Sequence, residues 1–220
     1  MDKKLYFKHG VIEHQKDIEY FTEFPAPIME LIHSAHFINI NSTITFFSPM
    51  LYFFARAIET HKILEIGHAE CYTAWYLANA VQDNGIRYQV KDGQYYGIDI
   101  VQTDLAIERL KGLPVTIMNL DSANLTKDTF KDITFDLIFQ DGAHDTEHVL
   151  YELETLYPQL KGEGMGYWIF HDSAGPAEEA WHKVIKNDKY KFEYVRILSP
   201  YGLSIMRKIE GIDPEKRYWI

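Results

Sequence analysis

The sequence is poor in several things, and each shortage narrows its function. It contains one cysteine, Cys71, so no disulfide can form within the chain and no cysteine cluster can hold zinc. Cations are scarce too: 22 Lys and Arg stand against 32 Asp and Glu, a formal net charge of −10. A field of that sign repels the phosphate backbone and argues against nucleic acid as a partner. Long apolar runs are missing. The stretch TFFSPMLYFFARAI, residues 45–58, is broken by Ser, Pro and Arg and falls short of a membrane span. The opening MDKKLYFKHG turns polar where a secretory signal would turn apolar. These shortages lead to the expectation of a soluble, cytoplasmic protein kept in a reducing compartment, with no membrane partner.

The most informative shortage is of glycine, at one turn. Residues 62–78, KILEIGHAECYTAWYLA, have the pattern of a strand, a tight turn and a helix. Such turns present backbone N–H groups at a helix start to a polar or anionic ligand group. They normally carry two or three glycines, because a Cβ blocks close approach. Here only Gly67 is present, and Ala69 and Cys71 take the next alternate places. A diphosphate needs the tightest approach, so the turn argues against NAD and FAD. Glu65 at the strand end repels phosphate and suits an amino group. Taken alone, the turn reads equally well as an ordinary structural one.

What is present is a regular alternation. Seven short apolar runs read as strands: KILEIG, YYGIDI, VTIMNL, FDLIFQD, GYWIFHD, EYVRIL and GLSIMRK. Helical periods fall between the earlier ones, in AECYTAWYLANAVQ, TDLAIERLKG, TEHVLYELETLYPQL and AEEAWHKVIKN. Strands apolar on both faces and alternating with helices form a parallel sheet covered on both sides. The last two runs are joined by Ser-Pro-Tyr-Gly and read as an antiparallel hairpin. The expected fold is therefore α/β, a Rossmann-like doubly wound, mostly parallel seven-stranded sheet ending in a C-terminal antiparallel hairpin, with ligands at the carboxyl ends of the strands.

Residues 1–47 are expected to form an N-terminal helical or lid segment, with a helix at PIMELIHSAHFI, and 48–220 the main domain. Ser48 reads as an N-cap with Pro49 at the first helical position. The stretch QDNGIRYQVKDGQ reads as an exposed excursion, on its Asn84-Gly85 and Asp92-Gly93 pairs. GEGMG before the fifth strand lacks the Lys-Ser/Thr of a phosphate loop and reads as a plain turn.

Acids and histidines collect at the strand ends. Asp99 ends the second run, where a carboxylate can accept both hydroxyls of a ribose. NLDSAN places Asp121 and Ser122 after the third. Asp141, His144 and Asp145 follow the fourth, and His171 and Asp172 end the fifth. Two carboxylates and an imidazole converging at one sheet edge suit a divalent cation. Oxygen donors favour Mg²⁺, and an imidazole favours Mn²⁺ or Fe²⁺. Asp145 reads as the cap of the following helix, His148 as a surface or core residue, and Trp168 as core.

With these pieces in place, residues 48–208 resemble a class I S-adenosylmethionine-dependent methyltransferase. LEIG, GID and LDS carry the likeness, and FDLIFQDGAHDTEHVLYELETLYPQLKGEGMGYWIFHDS most specifically. That last stretch is similar to metal-dependent small-molecule O-methyltransferases of the macrocin type. The resemblance implies methyl transfer from S-adenosylmethionine to a hydroxyl of a small-molecule acceptor. It implies cofactor contacts from Glu65, Gly67, Ala69, Asp99, Ile100, Asp121, Ser122 and Asp141. It further implies a magnesium or other divalent-metal site at Asp141, His171 and Asp172, with His144 as the base. The N-terminal segment would serve as a lid or as a homodimer contact. Two alternatives stay open: a metal-dependent hydroxylase of the cephalosporin-pathway type on the same fold, and a non-catalytic relative with a degenerate cofactor turn.

Overall fold

The computed structural model describes residues 43–197 and 201–212. Within them lie α1 (Thr43–Ala57), β1 (Lys62–Ile66), α2 (Tyr72–Tyr88), β2 (Gln94–Asp99), α3 (Asp104–Arg109) and β3 (Val115–Asn119). There follow β4 (Leu137–Gln140), α4 (Thr146–Leu156), β5 (Gly166–His171), α5 (Glu178–Lys186), β6 (Phe192–Ile197) and β7 (Leu203–Lys208). The expected helix at PIMELIHSAHFI and the Ser-Pro-Tyr-Gly turn fall wholly or partly outside the described residues.

The strands form one sheet in the order β3-β2-β1-β4-β5-β7-β6. The first five are parallel, and β7 lies antiparallel between β5 and β6. Strand order reverses between β1 and β4, so a crevice opens there, at the carboxyl ends. Each strand divides its side chains between two layers. Leu64, Ile66, Ile138, Trp168 and Phe170 pack with Val149, Leu153, Ala180 and Trp181 of α4 and α5. Ile63, Leu137, Phe139 and Ile169 pack on the other face with Leu51, Ala55, Leu77 and Val81 of α1 and α2. Period-2 alternation with both faces apolar is the pattern of a covered parallel sheet. Among the described residues, no helix is long and apolar enough to cross a membrane.

Two local expectations are corrected. Ser48 and Pro49 lie inside α1, which begins at Thr43, and the Ser48 hydroxyl, fully buried, meets Thr73 Oγ1 at 2.9 Å. A bond to the neighbouring helix has taken this hydroxyl from capping duty. The excursion at Asn84-Gly85 is helix: α2 runs through it to Tyr88. Asn84 is buried, and its Nδ2 donates to the carbonyls of Ala55, at 3.2 Å, and Thr60, at 2.8 Å, just beyond α1. Those tertiary bonds outweigh the turn preference of an Asn-Gly pair.

Candidate active site

The turn after β1 is built from left-handed residues. Gly67 has φ of 82°, and a Cβ there would stand 2.4 Å from the Asp141 carbonyl oxygen. β1 and the strand end of β4 therefore close on each other only through a glycine. Ala69 and Cys71 adopt φ of 44° and 61°, positions where L-residues cost about 1 kcal/mol or more each. The chain thus keeps the geometry of a glycine-rich turn without the glycines. Three contacts hold it. Ala69 N–H donates to Asp99 Oδ2 at 2.7 Å, Arg109 Nη1 donates to the Glu70 carbonyl, and Cys71 Sγ lies 3.2 Å from His68 Nδ1. His68 is buried against Gly97 of β2, where a Cβ would come within 3.0 Å of its ring.

Above this turn opens a cavity of about 460 Å³. Gly67, Ala69, Asp99, Ile100, Asp121, Ser122 and Asp141 line it, together with Ile66, Ile98, Leu120, Gly142, Ala143 and His148. Its walls are thus the carboxyl ends of β1 and β2 and the loops after β3 and β4. Asp99 accepts from Ala69 N and, through Oδ1, from Val101 N at 2.9 Å. Ile100 is 66% exposed, an apolar surface beside a carboxylate. Asp121 caps the short helical turn Ser122–Asn124 by accepting from Ala123 N.

Glu65 is placed elsewhere. It points to the α1/α2 side, buried, and accepts a hydrogen bond from Tyr95 Oη at 2.6 Å. Burial pushes its carboxyl well above the usual range, and the nearby charges of Asp141 and Asp99 push the same way, against the Tyr95 bond. It does not line the cavity.

At the cavity's other end the carboxyl ends of β4 and β5 meet. Ligand atoms of Asp141, His171 and Asp172 all lie within 4.8 Å of one another. His171 Nδ1 stands 2.7 Å from Asp141 Oδ1 and 3.3 Å from Asp172 Oδ2, and His144 Nε2 stands 2.6 Å from Asp172 Oδ2. Burial alone would lower the pKa of His171, but its bonds to Asp141 and Asp172 outweigh that and carry it up to about 10. Burial raises Asp141, more than His171 draws it down. For Asp172 burial is overcome by the two imidazoles, which hold it well below the carboxylate range. Contact with Asp172 raises His144. Asp172 itself is left-handed, φ 57°. Its carbonyl accepts from Gly175 N, at 3.0 Å, and Ala177 N, at 3.3 Å, so the loop is wrapped around it.

Asp145 caps α4, its Oδ1 accepting from His148 N–H at 3.0 Å. Trp168 is fully buried in the core. His148, which in sequence has the pattern of a surface or core residue, lines the cavity, and its Nε2 lies 2.7 Å from Ser122 Oγ. The one clue to it was the i, i+4 spacing to Glu152, which puts both on one helix face.

A sheet of this order, with a crevice at its switch point lined by a strand-end acid and a tight turn, has the Rossmann-like architecture of methyltransferases. Residues 64–173, half of the chain, match the family model described as "Methyltransferase domain". The chain belongs to that family, and its fold is that of the class I methyltransferases. No curated protein sequence matches it significantly. Among solved structures it is similar to a methyltransferase from Podospora anserina bound to S-adenosylhomocysteine. That pair shares 15% identity over 96% of this chain and 100% of the other, with a TM-score of 0.63. It is also similar to TomG, an O-methyltransferase of tomaymycin synthesis from Streptomyces achromogenes, in complex with SAM. There the identity is 15%, over 89% and 96% of the two chains, and the TM-score 0.61. An O-methyltransferase from Bacillus cereus shares 13% identity over 86% and 96%, again with a TM-score of 0.61. At such identities the likeness is one of fold.

Proposed function

We propose that the protein transfers a methyl group from S-adenosylmethionine to a hydroxyl of a small-molecule acceptor, with a divalent cation held at the edge of the cofactor cavity. One observation carries this reading. Asp141 lines the cavity and also belongs to the Asp141–His171–Asp172 cluster, so cofactor and acceptor would meet at one side chain.

The donor set fits a cation: two carboxylates and an imidazole, with atoms close enough to share one ion, and oxygen-rich enough for Mg²⁺ or Mn²⁺. When bound, the ion supplies charge that lowers the pKa of a coordinated hydroxyl. The chain's own residues do the rest. Asp99 offers lone pairs to the ribose hydroxyls, Ile100 and Leu120 an apolar surface to the base, and the Gly67–Cys71 turn its backbone to the amino-acid end. Fixing donor and acceptor in line removes much of the entropic barrier to the displacement. His144 is the base. Its Nε2 faces the Asp172 carboxylate, which fixes the tautomer and leaves Nδ1 to take the acceptor's proton. Its side chain is 39% exposed, within reach of an entering acceptor.

The imidazole in the donor set also favours a second reading, an iron-dependent hydroxylase on this fold. Calorimetric titration with S-adenosylmethionine and S-adenosylhomocysteine, with Mg²⁺, Mn²⁺ or Fe²⁺ and then EDTA, separates the two. Micromolar cofactor binding with Mg²⁺ or Mn²⁺ supports methyl transfer. Absence of cofactor binding under every condition overturns it, and an Fe²⁺-only response points to the hydroxylase.

A further inference from the structure

The turn after β1 holds two left-handed residues that are not glycine, and each follows a peptide group pinned from outside the turn. A peptide unit is planar and rotates as one body, so flipping it changes the ψ of the residue before it and the φ of the residue after it. Ala69 follows the His68–Ala69 peptide, whose N–H donates to Asp99 Oδ2 at 2.7 Å. Cys71 follows the Glu70–Cys71 peptide, whose carbonyl accepts from Arg109 Nη1 at 2.5 Å and whose N–H donates to the His68 carbonyl at 2.6 Å. One pin comes from the end of β2. The other comes from the last residue of α3, 39 positions beyond Glu70.

Arg109 is itself held firmly. Thr103 caps α3 by accepting from Ala106 N at 3.1 Å, and Ala106 and Leu110 are buried in the same apolar cluster as Cys71 and Ala74 of α2. That packing ties the end of α3 to the start of α2. The Arg109 side chain is 14% exposed, and its Nη1 also stands 3.7 Å from Glu70 Oε2. A charged donor makes a hydrogen bond roughly twice as strong as a neutral one, enough to offset the cost of one left-handed side chain. Gly67 and Ala69 line the cavity and Arg109 does not. It touches the backbone, and the backbone faces the ligand.

We infer that Arg109 is a positioning residue for the cofactor, standing in for the glycine that the turn lacks at Cys71. It holds the Glu70–Cys71 peptide in the orientation that keeps the turn's backbone aimed at the cavity. The inference rests on the cofactor reading given above. Its consequence is a dependence between two positions. Arg109 matters as long as residue 71 carries a side chain, and a glycine there, free to take the left-handed region, removes the need for it.

Titration calorimetry with S-adenosylhomocysteine tests this on Arg109→Met, which keeps the stem and removes the donor and the charge. Affinity should fall about tenfold or more below the parent. Made in a Cys71→Gly chain, the same substitution should cost no more than about threefold. In an Ala69→Gly chain, where Asp99 holds the altered position, the full loss should return. Equal losses in all three backgrounds would make Arg109 a distant charge or a general brace and overturn the inference. Deuterium exchange gives a second reading and serves if Cys71→Gly does not fold. The amides of residues 68–73 should exchange about tenfold faster in Arg109→Met than in the parent, while β1 and β4 keep their protection. Unchanged exchange at the turn, or faster exchange throughout the sheet, overturns the inference and leaves the cofactor reading intact. A parent that binds no S-adenosylhomocysteine defeats the cofactor reading and the inference with it.

Discussion

His171 Nδ1 lies 2.7 Å from Asp141 Oδ1, a contact that joins the carboxyl ends of two adjacent parallel strands. The register of β4 and β5 pairs Gln140 with Phe170, so Asp141 and His171 are the next pair out, where the ladder ends and the crevice begins. Replacing Asp141 with Asn keeps the side chain's shape and removes one of the two carboxylates of the cluster. The expected result is a loss of at least about 100-fold in Mn²⁺ affinity by calorimetric titration, with the circular dichroism spectrum unchanged. Unaltered affinity would remove Asp141 from the ligand set.

The turn after β1 yields a pair of opposite predictions. Gly67→Ala drives a Cβ to within 2.4 Å of the Asp141 carbonyl oxygen at a φ of 82°. It should destabilise the fold by about 2 kcal/mol or more and abolish cofactor binding. Ala69→Gly relieves a left-handed alanine that lines the cavity. The relief of roughly 1 kcal/mol is offset in part by the flexibility of glycine in the unfolded chain. Its melting temperature should stay level or rise by a few degrees, and cofactor affinity should not fall. A weaker-binding Ala69→Gly would mean that the methyl group contributes to the site.

Arg196 reaches from β6 to the loop that carries Asp172. Its Nη2 donates to the Ser173 carbonyl and lies 2.9 Å from Glu178 Oε1, and its guanidinium stands 4.1 Å over the Trp181 ring. Only a planar, forked cation makes all three contacts. Arg196→Ala should cost about 1–3 kcal/mol in chemical denaturation, and it should weaken Mn²⁺ binding by loosening Asp172. Arg196→Lys should recover little of either. Full recovery by lysine would reduce the role of Arg196 to its charge alone.

The sheet was readable in the sequence because parallel strands buried on both faces leave continuous apolar runs, and all seven, from KILEIG to GLSIMRK, coincide with strands to within two residues. The acids at their carboxyl ends were readable because a crevice follows from strand order. What escaped depends on contacts distant in sequence. Nothing local to Asn84 says that it is bonded across to Ala55 and Thr60, so its pairing with Gly85 read as a turn. Ser48 was similarly assigned to a helix end, when its partner is Thr73 on the next helix. Glu65 read as facing a ligand because it sits beside the turn, yet side-chain alternation along β1 aims it at Tyr95. His148 looked like an ordinary helix residue because its meaning comes from Ser122, 26 positions away.

His148 also gives the protein a pH-dependent element of stability. Its contact with Glu152 raises its pKa above that of an ordinary imidazole, against partial burial, and the nearby charges of Asp145 and Asp121 act in the same sense. The groups facing it are therefore three carboxylates and the Ser122 hydroxyl. A raised pKa means that the folded state holds the proton more tightly than the unfolded one. The stabilisation is complete below about pH 6.5 and is lost as pH rises through the folded-state value. Comparing the parent with His148→Gln isolates this contribution, because the other titrating groups are shared. Chemical denaturation should show the parent favoured by on the order of 1 kcal/mol at about pH 6, with the gap narrowing toward about pH 9. A gap that is constant across that range would show that His148 stabilises the fold through its shape and neutral hydrogen bonds, and that its charge is spent on solvent.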